Sequence, residues 1–160
     1  GTSINSKIAA NGDLFSASDV NIEVTFKLDN ASGYLEVIGQ GSGTASTIDG
    51  PAIRINSSTT QARGTGSSTL SNLTSQTTTV GQTVTYCLEF HNESPSLHAV
   101  FWSTACTSVS TADKSNYSGR EATLTSTFPG KRIGFILNNA TLQSFTVRTK
   151  IGVATNLLQP

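Results

Sequence analysis

The side chains with chemistry to offer are few, and most stand at one parity of stretches whose other parity is apolar. Glu23, Glu36 and Glu89 are placed this way. Glycoside hydrolysis needs two carboxyl groups roughly 5–10 Å apart across a cleft, which two of these three supply if their strands share a sheet. The competing reading is that they wet a solvated face. Tyr34, Arg54 and His98 are the types a polysaccharide lyase uses, a base beside a cation that neutralises a uronate. A hairpin centred near Ser94-Pro95 sets His91 opposite His98, with Glu93 close by. That trio lies within the ligand repertoire of zinc, yet it is also an ordinary set of polar positions, and no metal is expected. Gly39-Gln40-Gly41-Ser42-Gly43 has the look of a phosphate loop, but neither a helix nor Gly-Lys-Ser/Thr follows, so it reads as a flexible turn. A Ser nucleophile elbow and a CxxC pair are both missing, and no catalytic residue is assigned.

Sugar recognition asks for something simpler: an aromatic ring for the C–H face of a pyranose and planar polar groups for its hydroxyls. Trp102 is the sole tryptophan, and the alternation points it away from the core, on the side that also carries His98 and Glu89. Tyr34 shares the parity of Glu36, and Arg54 and Asn56 point off the core beside them. Tyr117 falls in a loop. Trp102, Tyr34, Arg54, Asn56, His98, Glu89 and Tyr117 are therefore the candidate ligand-binding residues, on one off-core face. For Trp102 a second reading stands equally: it packs on a disulfide or under the loop of residues 107–126.

The elements that must position these residues are strands. Ile22, Val24, Phe26 and Leu28 alternate strictly with Asn21, Glu23, Thr25 and Lys27, the period of a half-buried strand. Further strands are read at Tyr34–Ile38, Ala52–Asn56, around Val84–His91, Leu97–Trp102, Ile133–Leu137 and Phe145–Val147, punctuated by Gly, Asn, Ser and Pro. Residues 59–82 are polar and rich in Ser and Thr, a long loop or weakly patterned edge strands; Ala122-Thr123-Leu124 is a short strand or part of a helical turn. Alternation with one apolar face means antiparallel sheets with a solvated side, so the fold class is all-β, an antiparallel two-sheet β-sandwich over residues 1–160 as one domain.

Composition removes several functions. Charged residues make up 12% and the formal net charge is zero, which leaves no electrostatic footprint for nucleic acid. No apolar run reaches the roughly 18 residues of a membrane span, so no membrane insertion is expected. The chain has no Met and no apolar leader, which reads as a processed or excised domain. Cys87 and Cys106 are the only possible intramolecular pair, and a bridge needs the chain to bend back after Trp102, because Cys87 faces a residue near Trp102 in the hairpin; the other reading is two buried free thiols in a cytosolic or viral protein. With Asn-X-Ser/Thr sequons at Asn30, Asn56, Asn72, Asn92, Asn116 and Asn139, the pair points to a secreted or cell-surface glycoprotein.

The order of motifs resembles the concanavalin A-like lectin/glucanase superfamily, including its laminin-G-like modules. The residues that carry it are the amphipathic strand Asn21–Leu28, the Gly-bearing strand Gly33–Gly39, Ile53–Ile55, the lead-in Gly81-Gln82-Thr83-Val84-Thr85-Tyr86, and the closing Gly-Lys-Arg-Ile-Gly-Phe-Ile-Leu then Ala-Thr-Leu-Gln-Ser-Phe-Thr-Val. The resemblance implies a jelly roll that holds an oligosaccharide or polysaccharide on its concave sheet, hence a lectin-like, carbohydrate-binding module for a neutral glycan. Two other functions stay open: an adhesion or viral-spike surface for a protein partner, and a polysaccharide hydrolase or lyase. The Glu-X-Asp-X-Glu run of the glucanase branch does not occur here. Relatives place an Asp before the final Phe-X-Val strand and this chain has Gln143-Ser144, so no cofactor is expected, a structural calcium being the sole candidate the family brings.

Overall fold

A computed structural model describes residues 4–9, 19–43, 47–93, 96–110, 116–125, 128–130, 132–148, 153–155 and 158–159. The strands are β1 (Ile4–Ala9), β2 (Asp19–Leu28), β3 (Tyr34–Gly41), β4 (Ala52–Asn56), β5 (Thr60–Arg63), β6 (Ser71–Thr74), β7 (Thr83–Glu93), β8 (Ser96–Trp102), β9 (Glu121–Leu124), β10 (Arg132–Asn138), β11 (Ala140–Arg148), β12 (Val153–Thr155) and β13 (Leu158–Gln159). They form two antiparallel sheets, β13-β1-β10-β3-β4-β5-β6 and β12-β11-β2-β7-β8-β9. Among the described residues no helix is long and apolar enough to cross a membrane.

Period-two patterning decides which side of each sheet is inside. In β2, Ile22, Val24, Phe26 and Leu28 are wholly buried while the residues between them are half-buried. They meet Leu35, Val37, Ile53, Ile55, Ile133 and Phe135 of the opposing sheet in one continuous core. Tyr86 stands edge-on to Phe26 and Phe101, at 5.6 and 4.8 Å between ring centroids. Its hydroxyl is 2.9 Å from Thr78 Oγ1, which satisfies the one polar atom the ring takes inside.

Local chemistry fixes the turns. Between β2 and β3, Asn30 Oδ1 accepts from the Ser32 amide and hydroxyl at 3.0 and 2.8 Å, an Asx turn. Gly33 closes it where a Cβ would collide with the Asn139 carbonyl, and Asn139 itself turns β10 into β11 at φ +46°.

The hairpin of β7 and β8 has the register read from sequence: His91 opposes His98 and Cys87 opposes Trp102. After Trp102 the chain bends into a 3-10 turn, Cys106–Ser108, and Cys106 is disulfide-bonded to Cys87. The polar stretch 59–82 supplies β5 and the edge strand β6, and residues 121–124 supply β9.

Gly39-Gln40-Gly41 is not a flexible turn. It continues β3, and at Gly39 the sheets approach closely: a Cβ there would press on the Phe90 ring at 3.1–3.3 Å. β1, β12 and β13 carry no period-two pattern strong enough to be read from sequence.

Candidate functional site

The two sheets carry their off-core residues on opposite outsides of the sandwich, and this splits the single face expected from sequence. Trp102, His98 and Glu89 are on β7 and β8, in the six-stranded sheet; Tyr34, Arg54 and Asn56 are on β3 and β4, in the seven-stranded sheet. Parity says which residues avoid the core. It does not say which sheet a strand joins.

On the six-stranded sheet the outer face is covered around Trp102, while Thr83, Thr123, Thr141 and Gln143 are exposed. Trp102 is 3% exposed and packs with Cys87, Val100, Cys106 and Val109. Tyr117 lies across it, 6.3 Å from Trp102, 5.9 Å from His91 and 6.2 Å from His98 between ring centroids. Of the two readings of Trp102, packing on the disulfide is the one realised. Glu89, opposite Val100, is buried. His98 is half-buried with Nδ1 2.6 Å from Glu121 Oε2. Glu23 Oε2 accepts from the Cys106 amide at 2.8 Å, helping to pin the covering turn.

Of the catalytic arrangements weighed above, the lyase set does not assemble, because Tyr34 and Arg54 are on the other sheet from His98. Of the three glutamates, Glu36 is on the seven-stranded sheet, whereas Glu23 and Glu89 stand on the paired strands β2 and β7 of the six-stranded sheet. Among the described residues, no three of His, Cys, Asp and Glu gather as a metal would require; the side chain of Glu93 lies outside them. Where relatives of the resembled family carry an Asp, Gln143 sits at a register shift of β11 and donates from Nε2 to Thr83 Oγ1 at 3.1 Å.

On the seven-stranded sheet Ile48 packs over Ile38 and Ala52, and the outer face beyond it, from Tyr34 and Arg54 to Gln61 and Asn72, is half-buried to exposed. Glu36, Arg54, Gln61 and Asn72 stand in register across β3, β4, β5 and β6. The Arg54 guanidinium lies over the Tyr34 ring, 4.2 Å from its centroid, which orients ring and cation together. Glu36 is the anchor. It is 2% exposed, with Oε1 2.6 Å from Arg63 Nε and Oε2 3.4 Å from Arg54 Nη2. Arg63 Nη1 also donates to Asp49 Oδ1 at 2.8 Å. The amides continue the ladder: Asn56 Nδ2 donates to Gln61 Oε1 at 3.4 Å and Gln61 Nε2 to Asn72 Oδ1 at 3.1 Å. Asn56 Oδ1 meanwhile caps the β4–β5 turn, accepting from Ser58 and Thr59 amides at 2.9 and 3.0 Å. Arg54 Nε is a buried donor with no partner among the described residues.

The electrostatics of this face cancel. Burial works to raise the pKa of Asp49, but hydrogen bonds from Arg63 and the Gly66 and Gly50 amides outweigh it and hold the carboxyl below its ordinary value. Burial likewise works to lower the pKa of Arg63, and Asp49 with Glu36 reverses the sign and raises it. Two carboxylates and two guanidinium groups thus form a closed, neutral network.

Tyr34, Arg54 and Asn56 are the sequence candidates that this face brings together. Gln61, Arg63, Asp49 and Asn72 were missed. Thr60-Gln61-Ala62-Arg63 does alternate, with Thr60 and Ala62 inside, but two small inward residues give no hydrophobic signal.

Two cavities lie where β6 of one sheet runs beside β8 and β9 of the other. One, of about 310 Å³, is lined by Thr65, Ser67, Thr69, Ser71, Thr123 and Thr125. The second, of about 100 Å³, is lined by Thr74, Gln76, Phe101, Ser103, Gly119 and Arg120.

With both sheets and the open face described, comparison with solved structures is informative. The carbohydrate binding module CBM66 from Bacillus subtilis matches with a TM-score of 0.58 over 93% of this chain and 84% of that one, at 11% identity. The chain folds as a two-sheet antiparallel β-sandwich of the jelly-roll kind. Sheep galectin-11, solved in complex with glycerol, aligns over 89% of this chain and 95% of its own at 12% identity, with a TM-score of 0.48. The sequence matches no protein-family model and no curated protein. At these identities the likeness speaks for the jelly roll itself, and the function must be argued from the residues it displays.

Proposed function

We propose that this jelly roll is a carbohydrate-binding module that holds a neutral glycan on the outer face of its seven-stranded sheet, around Tyr34, Arg54, Asn56, Gln61 and Asn72. The observation that carries this reading is the charge-compensated ladder across β3–β6, with Arg54 laid on Tyr34. Planar donors and acceptors fixed before the ligand arrives lose little entropy on binding, and a network with no net charge suits hydroxyls better than sulfates or uronates. The CBM66 likeness supports the reading, since that protein is a carbohydrate binding module. The disulfide supports an extracellular setting, and the sequon residues Asn30, Asn72 and Asn116 are exposed.

A protein-binding surface would want an apolar patch, and among the described residues Val80 is the one large hydrophobic that stands exposed. Against the hydrolase reading, Glu36 is held by two arginines, and of the pair that shares the other sheet Glu89 is buried and Glu23 accepts from the Cys106 amide. The test is a glycan array followed by calorimetry on the best neutral ligand. Arg54→Ala and Tyr34→Ala should each weaken binding by about tenfold, the loss of a charge-assisted hydrogen bond or a stacking ring. Affinity unchanged in both variants would move the site elsewhere, and an array with no binding would remove the function.

A further inference from the structure

The 100 Å³ cavity beside β6 and β8 is lined by one cation, Arg120. Arg120 is half-buried, its Nε is inaccessible to solvent, and among the described residues that atom has no hydrogen-bond partner and the guanidinium no ion pair. A buried donor is nearly always satisfied; Arg54 Nε and Arg132 Nη1 share this state, and Arg120 is the one of the three that lines this cavity. The other arginines facing carboxylates, Arg54 and Arg63, share Glu36 and Asp49. The acid next to Arg120 in sequence, Glu121, is turned to His98, as successive strand residues point to opposite faces.

The backbone holds Arg120 in place. Its amide donates to the Tyr117 carbonyl at 3.1 Å and its carbonyl accepts from the Phe101 amide at 3.1 Å. Gly119 supplies the left-handed residue of that turn, at φ +74°. Besides Arg120, the cavity is lined by Thr74, Gln76, Phe101, Ser103 and Gly119.

We infer that this cavity is a binding pocket for a single oxyanionic group, a carboxylate or a sulfate, held by Arg120. Size argues for the group alone. About 100 Å³ is the share of roughly three waters, whereas pockets for whole small ligands begin near 300 Å³. The planar fork of a guanidinium matches two oxygens of such a group, and hydroxyls beside it can donate to a third. The pocket is distinct from the Tyr34–Arg54 face, shares no residue with it and stands independently of the neutral-glycan reading.

The experiment is a titration of the isotope-labelled protein followed by ¹H–¹⁵N spectra, with sodium sulfate, sodium acetate and sodium chloride at matched ionic strength. Saturable shifts at the Arg120 Nε–H and at the Gly119 and Ser103 amides are expected with sulfate or acetate. Saturation with sulfate alone assigns a tetrahedral group, and with acetate alone a carboxylate. Arg120→Gln should weaken the response at least about tenfold, and Arg120→Lys, which keeps the charge and loses the fork, should fall between. Shifts that stay linear and match those of chloride, or that persist in Arg120→Gln, would overturn the pocket. The Nε–H resonance of the unaltered protein separates these outcomes even if a variant folds poorly.

Discussion

Trp102 and Tyr34 hold similar positions in the sequence, each an off-core aromatic at the end of an alternating strand, and they meet different fates. A turn pinned by Cys106 closes over Trp102, so its ring is packing. Nothing comparable among the described residues covers Tyr34, whose ring is half-buried under one guanidinium. Trp102→Ala should therefore cost about 3–5 kcal/mol in stability, the range for emptying a large aromatic site, whereas Tyr34→Ala should cost about 1 kcal/mol or less. Urea unfolding of the two variants checks the contrast, and equal losses would contradict it. Asp49 makes a second residue-scale prediction. Its folded pKa lies below the unfolded value, so its contribution is complete above the ordinary aspartate range near 3.9 and is lost as pH falls through the lower folded value. Thermal midpoints measured down an acid series should fall along that limb, and Asp49→Asn should flatten it.

At the scale of the element, the open face depends on β3. Its Glu36 ties β4 and β5 together from a buried position, and removing one member of a buried ionic set leaves the others uncompensated. Glu36→Ala should destabilise by about 3 kcal/mol and lower glycan affinity as well, while Glu36→Gln should do less of both. Calorimetric unfolding alongside the binding titration separates the two effects. The same strand sets the distance between sheets through Gly39, whose missing Cβ leaves room for the Phe90 ring. Gly39→Val should cost about 1–3 kcal/mol by overpacking, read as a shift in the urea midpoint without a change of slope. These two positions show what sequence patterning can and cannot give. Strong alternation made β2, β4, β7, β8 and β10 legible with the correct inside face, down to the His91–His98 register. Gly39 misled because glycine signals a turn and a close approach equally well. Arg63 and Gln61 were hidden because their inward neighbours, Thr60 and Ala62, are too small to announce a core.

For the whole molecule, the disulfide is what makes the two outer faces different. The loop it closes, with a sequence separation of 19, is worth roughly 3 kcal/mol of chain entropy. That stabilisation lies beside one sheet, where the covering turn also uses the Glu23 to Cys106 hydrogen bond and the contacts of the Tyr117 ring with Trp102, His91 and His98. The opposite face holds its ladder through β3–β6 and touches neither cysteine. Reduction should thus act locally. The single tryptophan, Trp102, reports on it directly: its emission should shift to the red as the turn lifts, while far-UV dichroism retains its β signal and glycan affinity at the Tyr34–Arg54 face changes less than about twofold. Unchanged emission after verified reduction would mean that packing alone holds the turn. A loss of glycan binding in step with the red shift would mean that the two faces are one cooperative unit, and the site would then have to be sought nearer the disulfide. The sequence could pair the cysteines, but it could not show this asymmetry, because which face is covered depends on where the chain after β8 comes to rest.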